Sequence, residues 1–432
     1  MLRALYTACW YLLAPLLPLR LLWRGRREPG YLTAIGERYG RYTQRPASPV
    51  IWLHAVTLGE TRAAAPLVAR LRRAHPEATI LVTHMTATGR AASEALFGGD
   101  VIRAWLPYDL PFAMRRFLAH VSPRVGLVLE TELWPNLLAA ATAARIPVYL
   151  VNARLSERSA RGYRRIGTLA RSMLGELAGV AAQAAADATR LAALGAPPPT
   201  VTGNIKFDIE PGDDARARGR ELRALFGPDR PVWLAGSTRD GEEALLLDAL
   251  RGARLPPGTL TVIVPRHPQR FDAVAELLRA RGVPFRRRSE NRGVPAEVAV
   301  VLGDSMGEMM AYYAAADVAF VGGSLLPLGG QNLIEPIAAG TPTLVGPHMF
   351  NFAEATARAK DAGAAREVAD ATELVATAAS LLVDAAARAT MRDAALAFHA
   401  THRGAADRLW AWLAPRVDAA LAAGRTCDGS GR

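Results

Sequence analysis

The sequence predicts an α/β protein with two Rossmann-like halves, each built around a parallel β-sheet. Short apolar runs alternate with helical segments along most of the chain. The runs are apolar at consecutive positions, which is typical of strands that are covered by helices on both faces. The alternation stops once, near residue 209, and then starts again, and 432 residues is long for one domain. We therefore expect two domains that face a ligand-binding cleft.

The first domain is predicted to cover residues 25–208. Each of its strands is a Val-, Ile- or Leu-rich run that ends in polar or turn residues. The expected strands are VIWLHAV, ATILVTHMT, VIRAWLP, VGLVLE, PVYLVNA, GVAAQ and TVTGNIKFD. Helices are expected between them, for example over residues 58–74, where Leu67, Val68 and Leu71 form an apolar face.

A linker is predicted over residues 209–225, because this run contains Pro, Gly and paired Asp near its start and lacks an apolar period. The second domain is expected over residues 226–424, followed by a disordered tail over residues 425–432. Its strands are PVWLAGS, LTVIVPR, AVVLGD, DVAFVGGS and TPTLVGP. After DVAFVGGS, a glycine-containing loop leads into a short helix over residues 332–339, with Asn332 at its N-cap. Such a loop and helix start suit an anion such as phosphate.

Residues 1–24 are predicted to anchor the chain in a membrane. The run from Ala4 to Leu19 has no charged residue, and arginines follow it. It is short for a span of the bilayer and contains two prolines, but no small-residue signal-peptidase site follows. By the positive-inside rule, the arginines place the rest of the chain on the cytoplasmic face. A buried first helix of a soluble domain is the alternative.

The net charge of +12 indicates an anionic partner. Only Lys206 and Lys360 are lysines, so arginine supplies almost all of the positive charge. The arginines are scattered and are not interleaved with aromatic residues, which argues against a nucleic-acid partner. Cys9 and Cys427 lie near opposite termini, so they form neither a disulfide framework nor a metal-ligand cluster. No metal site is predicted.

Candidate catalytic residues of the first domain lie where strands end, because those ends line the ligand crevice of an open α/β sheet. Glu60 follows the first strand at a helix start, a place suited to a general base, although it could be only a favourable partner of the helix dipole. Glu130 ends the strand VGLVLE, and Glu132 follows it. His54 and Glu132 are candidates for the acceptor side. Lys206 supplies a compact ammonium group beside a domain edge, suited to a developing negative charge.

The second domain offers four loops of the same kind, and each is a weak signal alone. They suit phosphate and sugar groups through helix starts, an arginine and an imidazole. The candidate ligand-binding residues are Ser237, Thr238, Arg266, His267, Met306, Gly307, Glu308, Asn332, Leu333, Ile334 and Glu335.

Together these motifs resemble the 3-deoxy-D-manno-octulosonic acid (Kdo) transferases. The resemblance rests on HAVTLGE, ETELWPN, GNIKFD, AGST, PRHP, DSMGEM and FVGGSL…GGQNLIEP…GPHMFNF, which follow one another in order up to about Phe352. It implies a GT-B type glycosyltransferase fold and inverting transfer of Kdo from CMP-Kdo to the lipid A precursor (lipid IVA) in lipopolysaccharide assembly. It also implies an enzyme without a cofactor on the anionic cytoplasmic face of the inner membrane.

The resemblance further implies a role for each candidate residue. Glu60 matches the base, and Glu130 and Lys206 match positions that support the transition state. Arg266–His267, Met306–Glu308 and Asn332–Glu335 match the segments that contact CMP. Thr57 and Gln331 stand where the family pattern leads us to expect Ser and His.

Two other interpretations remain open at this point. One is a sugar-nucleotide 2-epimerase of the same fold, acting on a UDP-N-acetylhexosamine; such an enzyme would not need the N-terminal anchor. The other is a non-enzymatic basic protein of the membrane surface, which would not need acidic residues grouped at strand ends.

Overall fold

The structure is a computed structural model that describes residues 2–209 and 212–428. The chain forms two compact units. The first contains Met1–Asp208 together with Gly404–Arg432, and the second contains Ile209–Arg403. Each unit has a seven-stranded sheet in which all paired strands are parallel, so the prediction of two Rossmann-like α/β units is confirmed.

The first unit is organised around a sheet with the strand order β3-β2-β1-β4-β5-β6-β7. Its strands are β1 Val50–His54, β2 Thr79–His84, β3 Ile102–Trp105, β4 Val125–Leu129, β5 Val148–Ala153, β6 Gly179–Ala182 and β7 Thr200–Val201. All residues of β1, β4 and β6 are buried, as expected for strands covered on both faces. The chain reverses direction along the sheet between β3 and β4, which puts the ends of β1 and β4 side by side.

Helices cover this sheet on both faces. They are α1 Leu2–Leu13, α2 Leu17–Arg27, α3 Leu58–Ala74, α4 Ala87–Phe97, α5 Pro111–Val121, α6 Pro135–Ala143, α7 Glu157–Arg165, α8 Gly167–Gly175 and α9 Ala185–Ala193. One apolar cluster joins β1, β4 and β5 to α5, α6 and α8, and a second joins the sheet to α3. Trp52 and Phe117 pack edge-to-face in the first cluster, with ring centroids 5.3 Å apart.

The N-terminal helices α1 and α2 pack along the first unit. They are separated by a single 3-10 turn at Ala14–Leu16, where Pro15 interrupts the α-helical hydrogen bonds. Leu17 and Leu21 are buried, while Leu12 and Leu19 on other faces are 78% and 64% exposed. Among the residues with a described placement, Leu2–Gly25 is the one continuous helical stretch that is long and apolar enough to cross a membrane.

The second unit has a sheet with the strand order β10-β11-β9-β8-β12-β13-β14. Its strands are β8 Val232–Thr238, β9 Leu260–Pro265, β10 Phe285–Arg287, β11 Val300–Leu302, β12 Val318–Val321, β13 Thr343–Val345 and β14 Ala365–Glu367. Its helices are α10 Asp213–Phe226, α11 Glu242–Gly252, α12 Phe271–Ala280, α13 Met309–Ala315, α14 Ile334–Ala338, α15 Ala353–Asp361, α16 Ala371–Val383 and α17 Ala385–His402. Apolar clusters lie on both faces of the sheet.

Several predicted boundaries differ from the structure. Of the expected linker 209–225, residues 210 and 211 lie outside the described residues, and most of the remainder forms α10. Leu222 and Phe226 of α10 are buried against α13, so a short apolar stripe fixes this helix although charged residues dominate its sequence. The short edge strands β10 and β14 were not predicted from the sequence, because they have few apolar residues.

The C-terminal end of the chain returns to the first unit. The last helix, α18 Ala405–Asp428, buries Leu409, Leu413, Val417 and Leu421 against that unit's core. Assigning residues through 424 to the second domain was therefore wrong for residues 404–424. Residues 425–428 of the expected disordered tail belong to α18, and residues 429–432 lie outside the described part of the chain.

Candidate active site

Glu60 lies in the first turn of α3, directly after β1 and the loop that follows it. Its side chain is buried and accepts hydrogen bonds from the Val56 backbone N–H at 2.7 Å and from the Thr57 hydroxyl at 2.8 Å. Burial, together with the negative charge of Glu130, raises the pKa of Glu60 to about 7. A carboxylate with this pKa is suited to accept a proton near neutral pH.

Glu130, which directly follows the C-terminal end of β4, forms an ion pair with Lys206, which lies in the segment after β7. Their side chains are 17% and 21% exposed, so both groups are partly shielded from water but reachable. The backbone of Glu130 has φ +58°, a conformation that few non-glycine residues adopt.

The position of Lys206 is fixed by side-chain amides. The side-chain oxygen of Asn152, near the end of β5, accepts a hydrogen bond from the Ile205 N–H at 3.1 Å. The side-chain oxygen of Asn204 accepts a hydrogen bond from the Lys206 backbone N–H at 3.0 Å. Asn152 also has a positive φ, of 51°. These contacts hold the 3-10 turn Ile205–Asp208 against the sheet edge and leave the ammonium group beside Glu130.

The two acceptor-side candidates of the first unit differ in accessibility. Glu132 is partly exposed, and burial and the neighbouring Glu130 raise its pKa. His54 is fully buried in β1, where its Nδ1 atom contacts the Thr83 hydroxyl at 2.9 Å. Burial and the neighbouring His84 lower the pKa of His54 to about 3, so the ring is neutral. This placement differs from the expectation that His54 contacts the acceptor.

In the second unit, Glu242 joins two of the candidate ligand-binding loops. Its buried carboxylate accepts hydrogen bonds from the backbone N–H groups of Arg239, Gly323, Ser324 and Leu325 at 2.6–3.0 Å. The turn after β8 is therefore tied to the glycine loop after β12. Ser237 has φ +56°, and both Ser237 and Thr238 are buried, with the Thr238 hydroxyl donating to Glu243 at 2.7 Å.

Arg266 and His267 follow β9 and lie next to the same loops. The Arg266 backbone N–H donates to the Thr238 carbonyl oxygen, and its Nε donates to the Gln331 side-chain oxygen at 3.1 Å. Gln331, which stands where the family pattern leads us to expect His, therefore positions the Arg266 side chain. Burial, Arg239, Arg266 and Arg270 lower the pKa of His267, so its ring is neutral at physiological pH.

Of the remaining two candidate loops, one follows β11 and the other precedes α14. Met306 is exposed, Gly307 has φ +79°, and Glu308 forms an ion pair with Arg288 at 3.1 Å. Because β11 pairs with β9, this loop lies beside the one that carries Arg266.

Asn332 contacts Glu335 through its side-chain amide at 3.2 Å, and its carbonyl oxygen caps the Ile334 N–H at 3.1 Å. The helix begins at Ile334, two residues later than predicted. Leu333 and Ile334 are buried, so only their backbone atoms can face a ligand.

Some buried charged residues near these sites were not found from the sequence. They include Arg38, Asp109, Glu242 and Glu243. Asp109 accepts hydrogen bonds from the Tyr6 hydroxyl and from the N–H groups of Asn136 and Leu137 at the start of α6, and burial raises its pKa to about 6. The acidic pair at 242–243 after a turn was a usable signal for Glu242, whereas no local pattern distinguishes Arg38 from other arginines.

The described residues include no group of three or more His, Cys, Asp and Glu side chains arranged to hold a metal ion.

Known proteins are similar in sequence to this chain over nearly its whole length. The family described as "3-Deoxy-D-manno-octulosonic-acid transferase (kdotransferase)" matches residues 33–209, and "Glycosyl transferases group 1" matches residues 283–397. A 3-deoxy-D-manno-octulosonic acid transferase of Bordetella pertussis is 46% identical over 95% of this chain and 99% of that protein. One from Haemophilus influenzae is 38% identical over 96% of this chain and 99% of that protein.

Among solved structures, Anabaena HepE in complex with UDP has a TM-score of 0.56 to this chain. It is 16% identical, and the match covers 86% of this chain and 100% of HepE. This likeness supports the fold alone.

Proposed function

Because the chain belongs to the 3-deoxy-D-manno-octulosonic acid (Kdo) transferase family, we propose that it transfers Kdo from CMP-Kdo to a hydroxyl group of the lipid A precursor. The observation that carries this proposal is the buried Glu60 carboxylate, with a pKa of about 7, beside the Glu130–Lys206 ion pair. A base next to a lysine–carboxylate pair is suited to a reaction in which a neutral hydroxyl group attacks an anionic sugar donor.

Glu60 is proposed as the general base. The acceptor hydroxyl oxygen forms a bond to the anomeric carbon of Kdo while the bond from that carbon to the CMP phosphate oxygen breaks. The hydroxyl proton passes to Glu60, and CMP leaves with the bonding electron pair. Attack from the face opposite the leaving group inverts the configuration.

Lys206 is proposed to stabilise negative charge on the donor. Kdo carries a carboxylate at its anomeric carbon, and the leaving group is a phosphate, so the reacting centre is anionic. The ammonium group is a compact charge, and Glu130 holds it in place through the ion pair. Electrostatic groups that are fixed before the reaction stabilise a transition state without further reorganisation.

The second unit is proposed to bind the CMP part of the donor. Arg266 is held by Gln331, and the Glu242 carboxylate fixes the glycine loop whose backbone lies beside the β8 turn. The Glu335 carboxylate, positioned by Asn332, is suited to accept hydrogen bonds from ribose hydroxyl groups. The Arg266 guanidinium group is suited to pair with a phosphate oxygen of the donor.

The N-terminal helices are proposed to hold the enzyme on the cytoplasmic face of the inner membrane. Their exposed leucines and the arginines of α2 match an apolar membrane interior and an anionic surface. This location brings the first unit to a lipid acceptor.

The proposal is tested by incubating the full chain with CMP-Kdo and tetra-acylated lipid A precursor in detergent micelles. Mass spectrometry of the lipid should show the addition of Kdo, with release of CMP. Release of UDP and free sugar from a UDP-N-acetylhexosamine, without Kdo transfer, would instead indicate a 2-epimerase. Binding to anionic vesicles without turnover of any sugar nucleotide would indicate a membrane-surface protein that is not an enzyme.

A further inference from the structure

The middle of the loop 304–308, between β11 and α13 of the second unit, is not packed against other elements. Met306 is 56% exposed. Gly307 has φ +79°, and among the described residues no atom beyond its chain neighbours lies within 4 Å of the place that a Cβ atom would take. The loop carries three of the candidate ligand-binding residues, and its conformation therefore depends on contacts at its two ends.

The start of this loop is held by the Asp304 carboxylate. Its side chain is 5% exposed and accepts hydrogen bonds from the Ser289 backbone N–H at 2.8 Å and from the Ser289 hydroxyl at 2.7 Å. Arg287 forms an ion pair with the same carboxylate at 3.4 Å. Because β10 pairs with β11, the end of β10 and the 3-10 turn Arg288–Glu290 lie beside the loop and supply these contacts.

The end of the loop is held by Arg288, in the same 3-10 turn. Its guanidinium group donates to the Glu308 carboxylate at 3.1 Å, and the two side chains are 17% and 13% exposed. An ion pair that is partly shielded from water is screened less than one on the open surface. The second Glu308 oxygen, Oε2, is buried and has no hydrogen-bond partner in the described part of the chain. Among the described residues, Arg288 is therefore the one side chain that pairs with this carboxylate.

We propose that Arg288 is a positioning residue for the sugar-nucleotide donor. It holds Glu308, and with it the loop 304–308, in the conformation that binds the CMP part of CMP-Kdo. This inference rests on the proposed function, because it takes the loop as part of the proposed CMP site. Arg288 itself lies outside the motifs that carry the family resemblance, and its contact with Glu308 is the reason for assigning it this role.

Loss of the Arg288 charge would act on the loop through Glu308. A carboxylate that is shielded from water and has lost its cation is unfavourable, so Glu308 would turn toward solvent or take up a proton. Either change alters the end of the loop, whereas Asp304 would still hold its start. The second unit would keep its sheet but lose the prepared geometry of one ligand-binding loop. CMP would then have to order that loop when it binds, which lowers its affinity.

The test is calorimetric titration of the full chain with CMP. Arg288→Met removes the charge from a long side chain, and CMP affinity should fall about tenfold or more, equivalent to about 1.4 kcal/mol. Arg288→Lys supplies a cation for Glu308 without the planar guanidinium group, so affinity should stay within about threefold of wild type. In steady-state transfer, Arg288→Met should raise the KM for CMP-Kdo by the same factor and keep kcat at saturating donor near the wild-type value. Partial unfolding would instead lower kcat and leave KM unchanged.

Arg286→Met is the matched control, because it removes the same charge from the adjacent strand and also breaks an ion pair. Arg286 pairs with Glu290 at 3.3 Å and, among the described residues, forms no hydrogen bond or ion pair with the loop 304–308. Its CMP affinity should stay within about twofold of wild type, as expected for a more exposed pair. If Arg288→Met does not fold, Arg288→Gln, which keeps a neutral donor, takes its place. Equal CMP affinity in wild type and the Arg288 variant, or an equal loss in Arg286→Met, would overturn the role of Arg288.

Hydrogen exchange without added CMP separates this inference from the proposed function. The Tyr312 backbone N–H donates to the Glu308 carbonyl oxygen at 3.0 Å, so its exchange reports on the end of the loop. Exchange of this amide should be faster in Arg288→Met than in wild type and unchanged in Arg286→Met. If wild type does not bind CMP, the proposed function fails, and the exchange rates decide whether Arg288 fixes the loop. If wild type transfers Kdo but exchange at Tyr312 is the same in Arg288→Met, the positioning role fails and the proposed function stands.

Discussion

The Lys206 ammonium group forms an ion pair with the Glu130 carboxylate, in a chain that has only one other lysine. The pair connects the ends of two elements that are distant in sequence, and Glu130 in turn raises the pKa of Glu60. Glu130 therefore acts on two groups of the proposed site, since it positions the cation and disfavours the ionised form of the base. These two effects can be separated by the pH dependence of transfer.

Glu130→Gln should move the pH profile of Kdo transfer to lower pH. Glu60 must be ionised to accept a proton, so wild-type kcat/KM should rise with pH through about 7, the pKa of Glu60. Removing the neighbouring negative charge makes ionisation of Glu60 easier, and the midpoint of the rise should fall. The plateau should also fall, because Lys206 loses its partner. Glu94→Gln, at an exposed position of α4, is the control and should keep the wild-type midpoint. A midpoint in Glu130→Gln that stays at the wild-type pH would show that Glu60 is not the titrating base.

Glu335→Gln tests the donor site. If Glu335 only stabilises the start of α14 with Asn332, its replacement should cost roughly 1 kcal/mol of unfolding free energy and leave CMP affinity unchanged. If it binds the ribose, CMP affinity should fall about tenfold or more, equivalent to about 1.4 kcal/mol. We expect the second result in calorimetric titration with CMP. Glu354→Gln makes the same change in the first turn of α15 and should leave CMP affinity as in wild type.

Most of the fold could be predicted from the sequence, because its strands are buried on both faces and therefore consist of continuous apolar runs. It failed where an element is held by only a few residues. Helix α10 depends on Leu222 and Phe226 within a charged segment, and α18 crosses back to the first unit through contacts that no local pattern encodes.

The candidate site was predictable only in part, for a related reason. Glu60, Glu130 and Lys206 could be placed because strand ends of a parallel sheet lie at one edge. The burial of His54 and of Arg38 could not be predicted, since both depend on side chains that come from distant parts of the chain.

Glu242→Gln should loosen the glycine loop of the second unit. The amide that replaces the carboxylate has one oxygen where four backbone N–H groups now donate to two, so at least one donor loses its partner. The expected loss of unfolding free energy is about 2–3 kcal/mol. Hydrogen exchange at Gly323, Ser324 and Leu325 should accelerate. The control, Glu276→Gln on α12, replaces an acid that is 72% exposed, and its stability should stay within about 0.5 kcal/mol of wild type. Unchanged exchange at the loop would refute the role of Glu242.

Exposed and buried leucines of the N-terminal helices should differ in the effect of their replacement, the first on membrane binding and the second on stability. Leu12→Gln and Leu19→Gln change exposed side chains, so the protein should be released from membranes with stability within about 0.5 kcal/mol of wild type. Leu17→Gln and Leu21→Gln change side chains that are 5% and 4% exposed, and unfolding free energy should fall by about 2–5 kcal/mol. Membrane sedimentation and thermal unfolding in detergent measure the two effects. Full retention of the Leu12→Gln, Leu19→Gln double variant on membranes would contradict the proposed attachment surface.

Glu60→Gln is the most direct test of the proposed mechanism. The glutamine keeps the shape of the side chain and an oxygen that can still accept the Val56 N–H, but it cannot accept a proton. Loss of a general base typically slows a reaction about 10²–10⁴-fold. Single-turnover transfer from CMP-Kdo should fall by that factor, while CMP affinity, determined on the same preparation, should stay at the wild-type value because the proposed CMP contacts belong to the second unit.

Glu132→Gln is the matched comparison for Glu60→Gln, since it removes a carboxylate from the same unit that is not proposed to take the proton. It should slow transfer far less than Glu60→Gln does. If Glu60→Gln retains transfer within about threefold of wild type, well below the usual effect of a general base, then the hydrogen bonds of Glu60 to Val56 and Thr57 are its whole role. The base would then have to be sought at Glu130 or Glu132 before His54, whose side chain is fully buried.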